Sequence, residues 1–207
     1  MRCSAVLLAG GNSSRMGCDK ALLEIEGEPL WRRQLATLRR LSPEQLMVAG
    51  PARAECDCEI IADRFPGAGP LGGIAAALGR STAPLLLVLA VDLPGMTADF
   101  LRSLLTDCRD GAGVVPSIAM PKFCADAPTG SRRYEPLAAI YPVTCAALAI
   151  NHLERNELSL QRFVRAVLDR GVAQERKIAP GEVGFFVNLN TPADYERFRK
   201  RATDLSR

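Results

Sequence analysis

The chain has 207 residues, 48% hydrophobic and 24% charged, which suits one soluble globular domain long enough to bury a sizeable core. A net charge of +3, with no basic run or aromatic-interleaved stripe, argues against nucleic acid or an anionic membrane as partner. Nothing approaches the roughly 18 apolar residues of a membrane span, the opening "MRCSAVLLAGG" lacks a signal peptide's order, and seven cysteines without a C-x-x-C, beside the single His152, support a cytoplasmic protein with reduced thiols rather than a zinc site.

In chain order, Cys3–Leu8 reads as a strand. Pro29–Leu41 reads as a helix with Trp31, Leu35 and Leu38 on one face. Strands are expected at Gln45–Ala49 and Glu59–Ala62, and a helix at Leu71–Leu78 after "PGAGP". Leu85–Val91 is continuously apolar, as a parallel strand buried on both faces should be. Thr97–Thr106 reads as a helix capped by Thr97.

The second half is less regular. Val114–Val115 suggests a short strand, and "SIAMPKFCADAPTGSRRYEP" a loop or hairpin over a pocket. Leu137–Tyr141 is a strand candidate, and Val143–Leu153 and Leu158–Leu168 are helical patterns, with His152 expected on a helix surface. "VGFFVNL" at 183–189 reads as a strand, and "TPADYERFRKRA" as a helix with Thr191 as cap and Pro192 in its first turn.

Alternating strands and helices predict an α/β fold, a three-layer, open, mostly parallel sheet with helices on both faces. Ligands of such sheets bind beyond the carboxyl ends of the strands. Asp92, the loop at 10–19, and Asn188 and Asn190 after the strand expected at 183–189 all occupy such places.

The stretch "VLLAGGNSSRMGCDK" carries the strongest local signal. It is not a P-loop, because five residues separate Gly11 from Gly17 and Cys18 follows. It is not a dinucleotide fingerprint either, since Asn12 and Ser13 replace the needed glycine. Its glycines still allow close backbone approach, and successive N–H groups can face phosphate oxygens. Arg15 offers a fork of donors and Lys20 a mobile point charge, a set suited to a polyphosphate. The competing reading is a strand-to-helix turn whose Arg15 and Lys20 are merely solvated.

"LAGGNSSRMGCDK" resembles the opening loop of the molybdenum cofactor guanylyltransferase family, of form L-A-G-G-x-S-x-R-M-G-x-D-K. The resemblance continues, in family order, at "DRFPGAGPLGGI" (63–74), "VDLPGM" (91–96), "EPLAAIY" (135–141) and "FVNLNTPADY" (186–195). It implies a Rossmann-like nucleotidyltransferase fold, a single domain over 1–207, with a nucleotide-binding half at about 1–110 and an acceptor-binding half at about 111–207.

By that resemblance, Leu8, Ala9 and Gly10 contact the base and ribose side of a nucleoside triphosphate, while Lys20, assisted by Arg15, neutralises its phosphates. Asp63 matches the position that recognises guanine, whose ring N–H and amine an ionised carboxylate can accept. Asp92, after the apolar run 84–91, matches a magnesium ligand; a carboxylate there needs a cation or donors to offset its desolvation. Asn190 would help the metal shell and Asn188 orient the second substrate. Each has a plainer alternative: Asp63 and Asp92 as turn caps, Asn188 and Asn190 as turn formers. The chain departs from the family after its second strand, where some members carry an asparagine and this chain has Ala49 and Gly50. "GPLGGI" would serve either the nucleotide or close helix–sheet packing, and Arg132 and Arg133 either an anionic acceptor or solvent.

The reaction implied is transfer of GMP from GTP to molybdopterin, with Mg2+ as cofactor, pyrophosphate as leaving group, and molybdoenzyme maturation proteins as further partners. Two readings compete with it. One is cytidylyl transfer to molybdopterin or to a sugar or alcohol phosphate. The other is a nucleotide-binding regulatory protein without turnover, against which the joint presence of Lys20 and Asp92 argues.

Overall fold

A computed structural model of the chain describes residues 2–10, 19–53, 55–62, 65–120 and 131–205. Arg15 and Asp63 lie outside these described residues.

The chain opens with β1 (Cys3–Leu8), a 3-10 turn (Lys20–Leu22), the hairpin β2 (Glu24–Ile25) and β3 (Glu28–Pro29), and helix α1 (Leu30–Arg39). Then come β4 (Gln45–Ala49), β5 (Glu59–Ile61), α2 (Pro70–Arg80), β6 (Leu85–Ala90) and α3 (Ala98–Asp107). The remainder is β7 (Gly113–Ala119), β8 (Arg132–Tyr134), β9 (Ala138–Pro142), a 3-10 turn (Val143–Cys145), α4 (Ala146–Glu154), α5 (Leu160–Asp169), β10 (Ala173–Lys177), a 3-10 turn (Pro180–Phe186) and α6 (Pro192–Leu205).

Eight strands form one sheet in the order β10-β7-β9-β6-β1-β4-β5, with β8 paired to β7. β1 lies parallel between β4 and β6, β5 continues parallel beyond β4, and β10 is parallel to β7. β9 runs antiparallel to β6 and β7, and β8 antiparallel to β7. Every residue of β1 and β6 is buried, which is why β6 reads as an unbroken apolar run and β1 as one interrupted only by Ser4, whose hydroxyl is hydrogen-bonded.

Alternation along these strands feeds two cores. Leu7, Leu85, Leu87 and Leu89 meet Leu35 and Leu38 of α1 and Phe100, Leu101 and Leu104 of α3 on one face. Val6, Leu8, Leu86 and Val88 meet Leu71 and Ile74 of α2, Leu148 of α4 and Phe163 and Val167 of α5 on the other. This is the three-layer arrangement the sequence predicts. The caps follow it too: Thr97 Oγ1 accepts from Phe100 N at 3.2 Å, and Asp194 and Thr191 cap α6 reciprocally.

Three expectations need correction. Residues 183–189 do not form a strand; Pro180–Phe186 is a 3-10 turn, started by Pro180 and by Glu182 accepting from Ala179 N at 3.0 Å. Phe185 and Phe186 are aromatic because both rings pack on Phe100, at centroid distances of 5.0 and 5.4 Å. Asn188 and Asn190 therefore follow an irregular segment rather than a strand. The strand in this part of the chain is instead β10, "AQERK", whose side chains are mostly exposed. His152 is buried, not on a surface, with its ring edge-on to Phe163 at 6.0 Å.

The described cysteines, Cys3, Cys56, Cys58, Cys108 and Cys145, are free thiols. Among the described residues no helix is long and apolar enough to cross a membrane.

Candidate functional site

The parallel strands β1, β4 and β6 end side by side, and backbone hydrogen bonds lock their ends into one edge. Ala9 N donates to Ala49 O at 2.9 Å, Val91 N to Leu8 O at 3.0 Å, and Ala90 N to Leu137 O at 2.8 Å. Over this edge lies a cleft of about 500 Å³, lined among others by Leu8, Ala9, Gly10, Lys20, Gly73 and Asp92. It is the place that strand topology assigns to a ligand.

Small residues create the space. Gly50 has φ of +154°, and a Cβ there would stand 2.7 Å from Ala9 C and Gly10 N. This crossing of β1 and β4 ends excludes any side chain at Gly50, which gives a physical reason for the departure from the asparagine of some family members. Gly73, in the first half of α2, lines the cleft while a Cβ on it would meet Leu8 Cδ2 at 3.0 Å. The two readings of "GPLGGI" are thus not exclusive, since the same glycine sets helix–sheet packing and floors the cleft.

Charge is placed at the cleft by short, well-capped elements. Asp19 Oδ1 accepts from Ala21 N at 2.9 Å and so starts the 3-10 turn that carries Lys20. Lys20 Nζ reaches Asp92 Oδ2 at 3.4 Å and Asn190 Oδ1 at 2.8 Å. The Lys20 and Asp92 side chains are only 18% and 19% exposed, so their attraction is screened less than that of a surface pair. The other Asp92 oxygen, Oδ1, is buried and has no hydrogen-bond partner among the described residues.

The turn bearing Asp92 is held from two sides. Asp92 O accepts from Leu189 N at 3.0 Å, and Leu93 O accepts from the buried Gln34 amide of α1. Asn190 is fixed in turn by Asp194, whose Oδ2 accepts from Asn190 N at 3.2 Å and Thr191 N at 2.9 Å. Hydrogen bonds from Thr191 and then Arg197 hold the Asp194 carboxyl below its ordinary range.

An ionised carboxylate only accepts, so an oxygen with no donor beside a cleft suits a cation. Among the described residues no three His, Cys, Asp or Glu side chains cluster as a closed metal cage. A single carboxylate completed by phosphate oxygens and water is the coordination that magnesium favours, and Asp92 fits that role.

The structure therefore brings Leu8, Ala9, Gly10, Lys20, Asp92 and Asn190 together. It does not bring Asn188 into this cluster: its amide donates to Phe186 O at 3.3 Å. Arg132 and Arg133 are neither on a free loop nor unpaired. They lie on β8, where Arg132 bonds Ser117 Oγ at 2.7 Å and pairs with Glu175 at 3.0 Å, and Arg133 pairs with Glu135 at 2.7 Å. Sequence reasoning passed over Arg53, which is 9% exposed and bonds both Ala9 O and Asp19. Its signal was faint, one arginine in "GPARAE" just beyond a strand end.

The profile of the MobA-like NTP transferase domain matches residues 5–174. The chain belongs to this family. A protein of Opitutus terrae named "probable molybdenum cofactor guanylyltransferase" is 36% identical over 204 residues, covering 96% of this chain and 95% of the relative. The molybdenum cofactor guanylyltransferase of Xanthomonas euvesicatoria pv. vesicatoria is 31% identical over 195 residues, covering 94% and 93%. Among solved structures, the molybdopterin-guanine dinucleotide biosynthesis protein A of Archaeoglobus fulgidus superposes with a TM-score of 0.70 at 21% identity, covering 97% of this chain and 99% of that one. At that identity the superposition speaks for the fold, a Rossmann-like nucleotidyltransferase sheet. Family membership rests on the sequence matches, and makes the chain a nucleotidyltransferase.

Proposed function

We propose that this chain transfers GMP from GTP to molybdopterin, releasing pyrophosphate and giving the guanine dinucleotide form of the molybdenum cofactor. The observation that carries the reading is the Lys20–Asp92–Asn190 cluster, with its orphaned Asp92 oxygen, at the mouth of a small-walled cleft in a chain of this family.

In this reading the terminal phosphate oxygen of molybdopterin attacks the α-phosphorus of GTP. The bond from that phosphorus to the bridging oxygen breaks, and its electrons leave with pyrophosphate. The attacking phosphate is already anionic near neutral pH, so no strong general base is needed. The one histidine accords with this, buried against Phe163 and away from the cleft. The chain's task is to hold two anions in line against their repulsion. Leu8, Ala9 and Gly10 would seat the nucleoside, where the absence of large side chains lets it lie on backbone. Lys20, with Arg15, would take up charge growing on pyrophosphate. Asp63 would read guanine, and Asn188 the second substrate.

Mg2+, held by Asp92 with Asn190 nearby, would supply positive charge against the α-phosphate. Lys20 pairs with Asp92 and keeps the carboxylate from being an uncompensated partly buried charge. We take residues 1–110 as the nucleotide half and 111–207 as the acceptor half of one domain. We take the reaction to be cytoplasmic, in keeping with the free thiols, and the product to pass to molybdoenzyme maturation proteins.

The test is incubation of the protein with Mg2+, molybdopterin and one nucleotide at a time, with pyrophosphate detected. Release with GTP and acceptor together is expected. Preference for CTP would remove the guanine assignment, and no release with any nucleotide would leave a binding protein without turnover.

A further inference from the structure

The side chain of Arg53 is buried, yet its guanidinium is poorly satisfied. Its Nη2 donates to Ala9 O at 3.3 Å and to Asp19 Oδ2 at 3.0 Å, and its Cζ lies 5.9 Å from the ring centroid of Trp31. Its Nε is buried with no hydrogen-bond partner among the described residues. A buried charge with an orphaned donor is a poor stabiliser, and an apolar side chain of similar volume often does as well. Fold stability alone does not account for it.

What the contacts accomplish is specific. Ala9 and Asp19 stand on the two sides of the 11–18 segment, and both line the cleft. One guanidinium thus ties the exit of β1 to the start of the turn that carries Lys20. It also neutralises Asp19, the residue directly before Lys20. Without Arg53, the Asp19 carboxylate would face the cleft uncompensated, repel an incoming polyanion and compete for the Lys20 ammonium. Asp19 divides its oxygens accordingly, Oδ1 to the Ala21 N cap and Oδ2 to Arg53.

We infer that Arg53 is a positioning residue for the nucleotide site: it masks the Asp19 charge and fixes the turn from which Lys20 reaches the cleft. This rests on the reading of the cleft as a seat for a nucleoside triphosphate. Arg53 itself is not among the residues lining the cleft. Removing it should weaken triphosphate binding, and then removing the neighbouring acid should restore it in part.

The experiment is calorimetric titration of GTP with Mg2+, without acceptor, into the wild type, Arg53→Ala, Asp19→Asn and the double variant. Arg53→Ala is expected to weaken GTP binding about tenfold or more, the scale of one charge-assisted contact. The Asp19→Asn amide can still accept from Ala21 N, so the double variant should recover the part of that loss that comes from the uncompensated Asp19 charge. A purely structural arginine would give no such recovery, because the second change would only add to the damage. If Arg53→Ala fails to fold, Arg53→Met, apolar and close in volume, takes its place with the same expectation. Unchanged GTP affinity in the Arg53 variant, or a double variant no tighter than the single one, would overturn the inference while leaving the site intact. A wild type that binds no GTP would overturn the reading of the site itself, and the inference with it.

Discussion

Where β1, β4 and β6 end, the sheet edge consists of Ala9, Gly10, Ala49, Gly50 and Ala90, its charge lies on Asp19, Lys20 and Asp92, and Asp92 Oδ1 has no hydrogen-bond partner among the described residues. Where β7, β8 and β10 end, the edge consists of longer polar side chains that satisfy one another. Arg132 donates to Ser117 Oγ and O at 2.7 and 2.6 Å and pairs with Glu175, while Arg133 closes on Glu135. The same sheet thus offers an under-satisfied edge over a cleft and an edge whose described side chains satisfy one another. Capacity for the nucleotide belongs to the first, because a ligand there gains contacts that the protein does not already make. The second is framework, and a ligand could use its arginines only by breaking pairs already formed.

Substitutions on the two edges should therefore fail differently. Asp92→Ala should lower kcat/KM for guanylyl transfer about a thousandfold, ~4 kcal/mol of transition-state stabilisation. Circular dichroism should show the fold kept, and near wild-type turnover would break the contrast outright. Lys20→Ala should raise KM for GTP about tenfold to a hundredfold, as loss of a charge-assisted phosphate contact does; steady-state kinetics at saturating acceptor would show it. Gly50→Ala forces a Cβ to within 2.7 Å of the Ala9–Gly10 backbone. It should cost about 1–3 kcal/mol of stability by denaturant titration, and weaken GTP binding because the strand ends must part.

On the saturated edge, Arg132→Ala should cost about 1–2 kcal/mol of stability and leave KM for GTP unchanged. A raised KM would erase the distinction between the edges. The smallest effect concerns Glu135. Burial pushes its carboxyl above the ordinary value, with Arg133 only partly offsetting this. Its contribution to stability is thus full below the unfolded pKa and lost as pH rises through the raised folded one. Glu135→Gln should flatten the pH dependence of Tm as the pH rises above the ordinary carboxylate range.

The two edges also differ in how legible they were. β1 and β6 are buried along their whole length and β4 over its last three residues, so burial itself wrote them as largely apolar runs leading into small residues. Asp92 was conspicuous because a carboxylate closing such a run must have a purpose. β10 is an edge strand of "AQERK" with one buried residue, and pairing through backbone alone leaves no apolar trace. "VGFFVNL" misled for the converse reason: apolar residues at 183–189 record packing of Phe185 and Phe186 on Phe100, which a 3-10 turn supplies as well as a strand. β7 runs from Gly113 to Ala119, beyond the Val114–Val115 that the sequence marks, because the buried Gly113, Pro116 and Ser117 interrupt the apolar signal and Ser117–Ala119 pair with the short β8. Arg53 was invisible because its role depends on Ala9 and Asp19, distant in sequence, meeting at one guanidinium.

The central claim is that Asp92 receives a divalent cation together with a nucleoside triphosphate in the cleft beside Lys20. Electron paramagnetic resonance of Mn2+ titrated into the protein with GTP measures this directly, with no turnover required. The account predicts tight Mn2+ binding when GTP is present and a loss of at least about tenfold in Asp92→Asn, the scale of a lost charged ligand. Equal Mn2+ affinity in wild type and Asp92→Asn, with GTP bound to both, would contradict it.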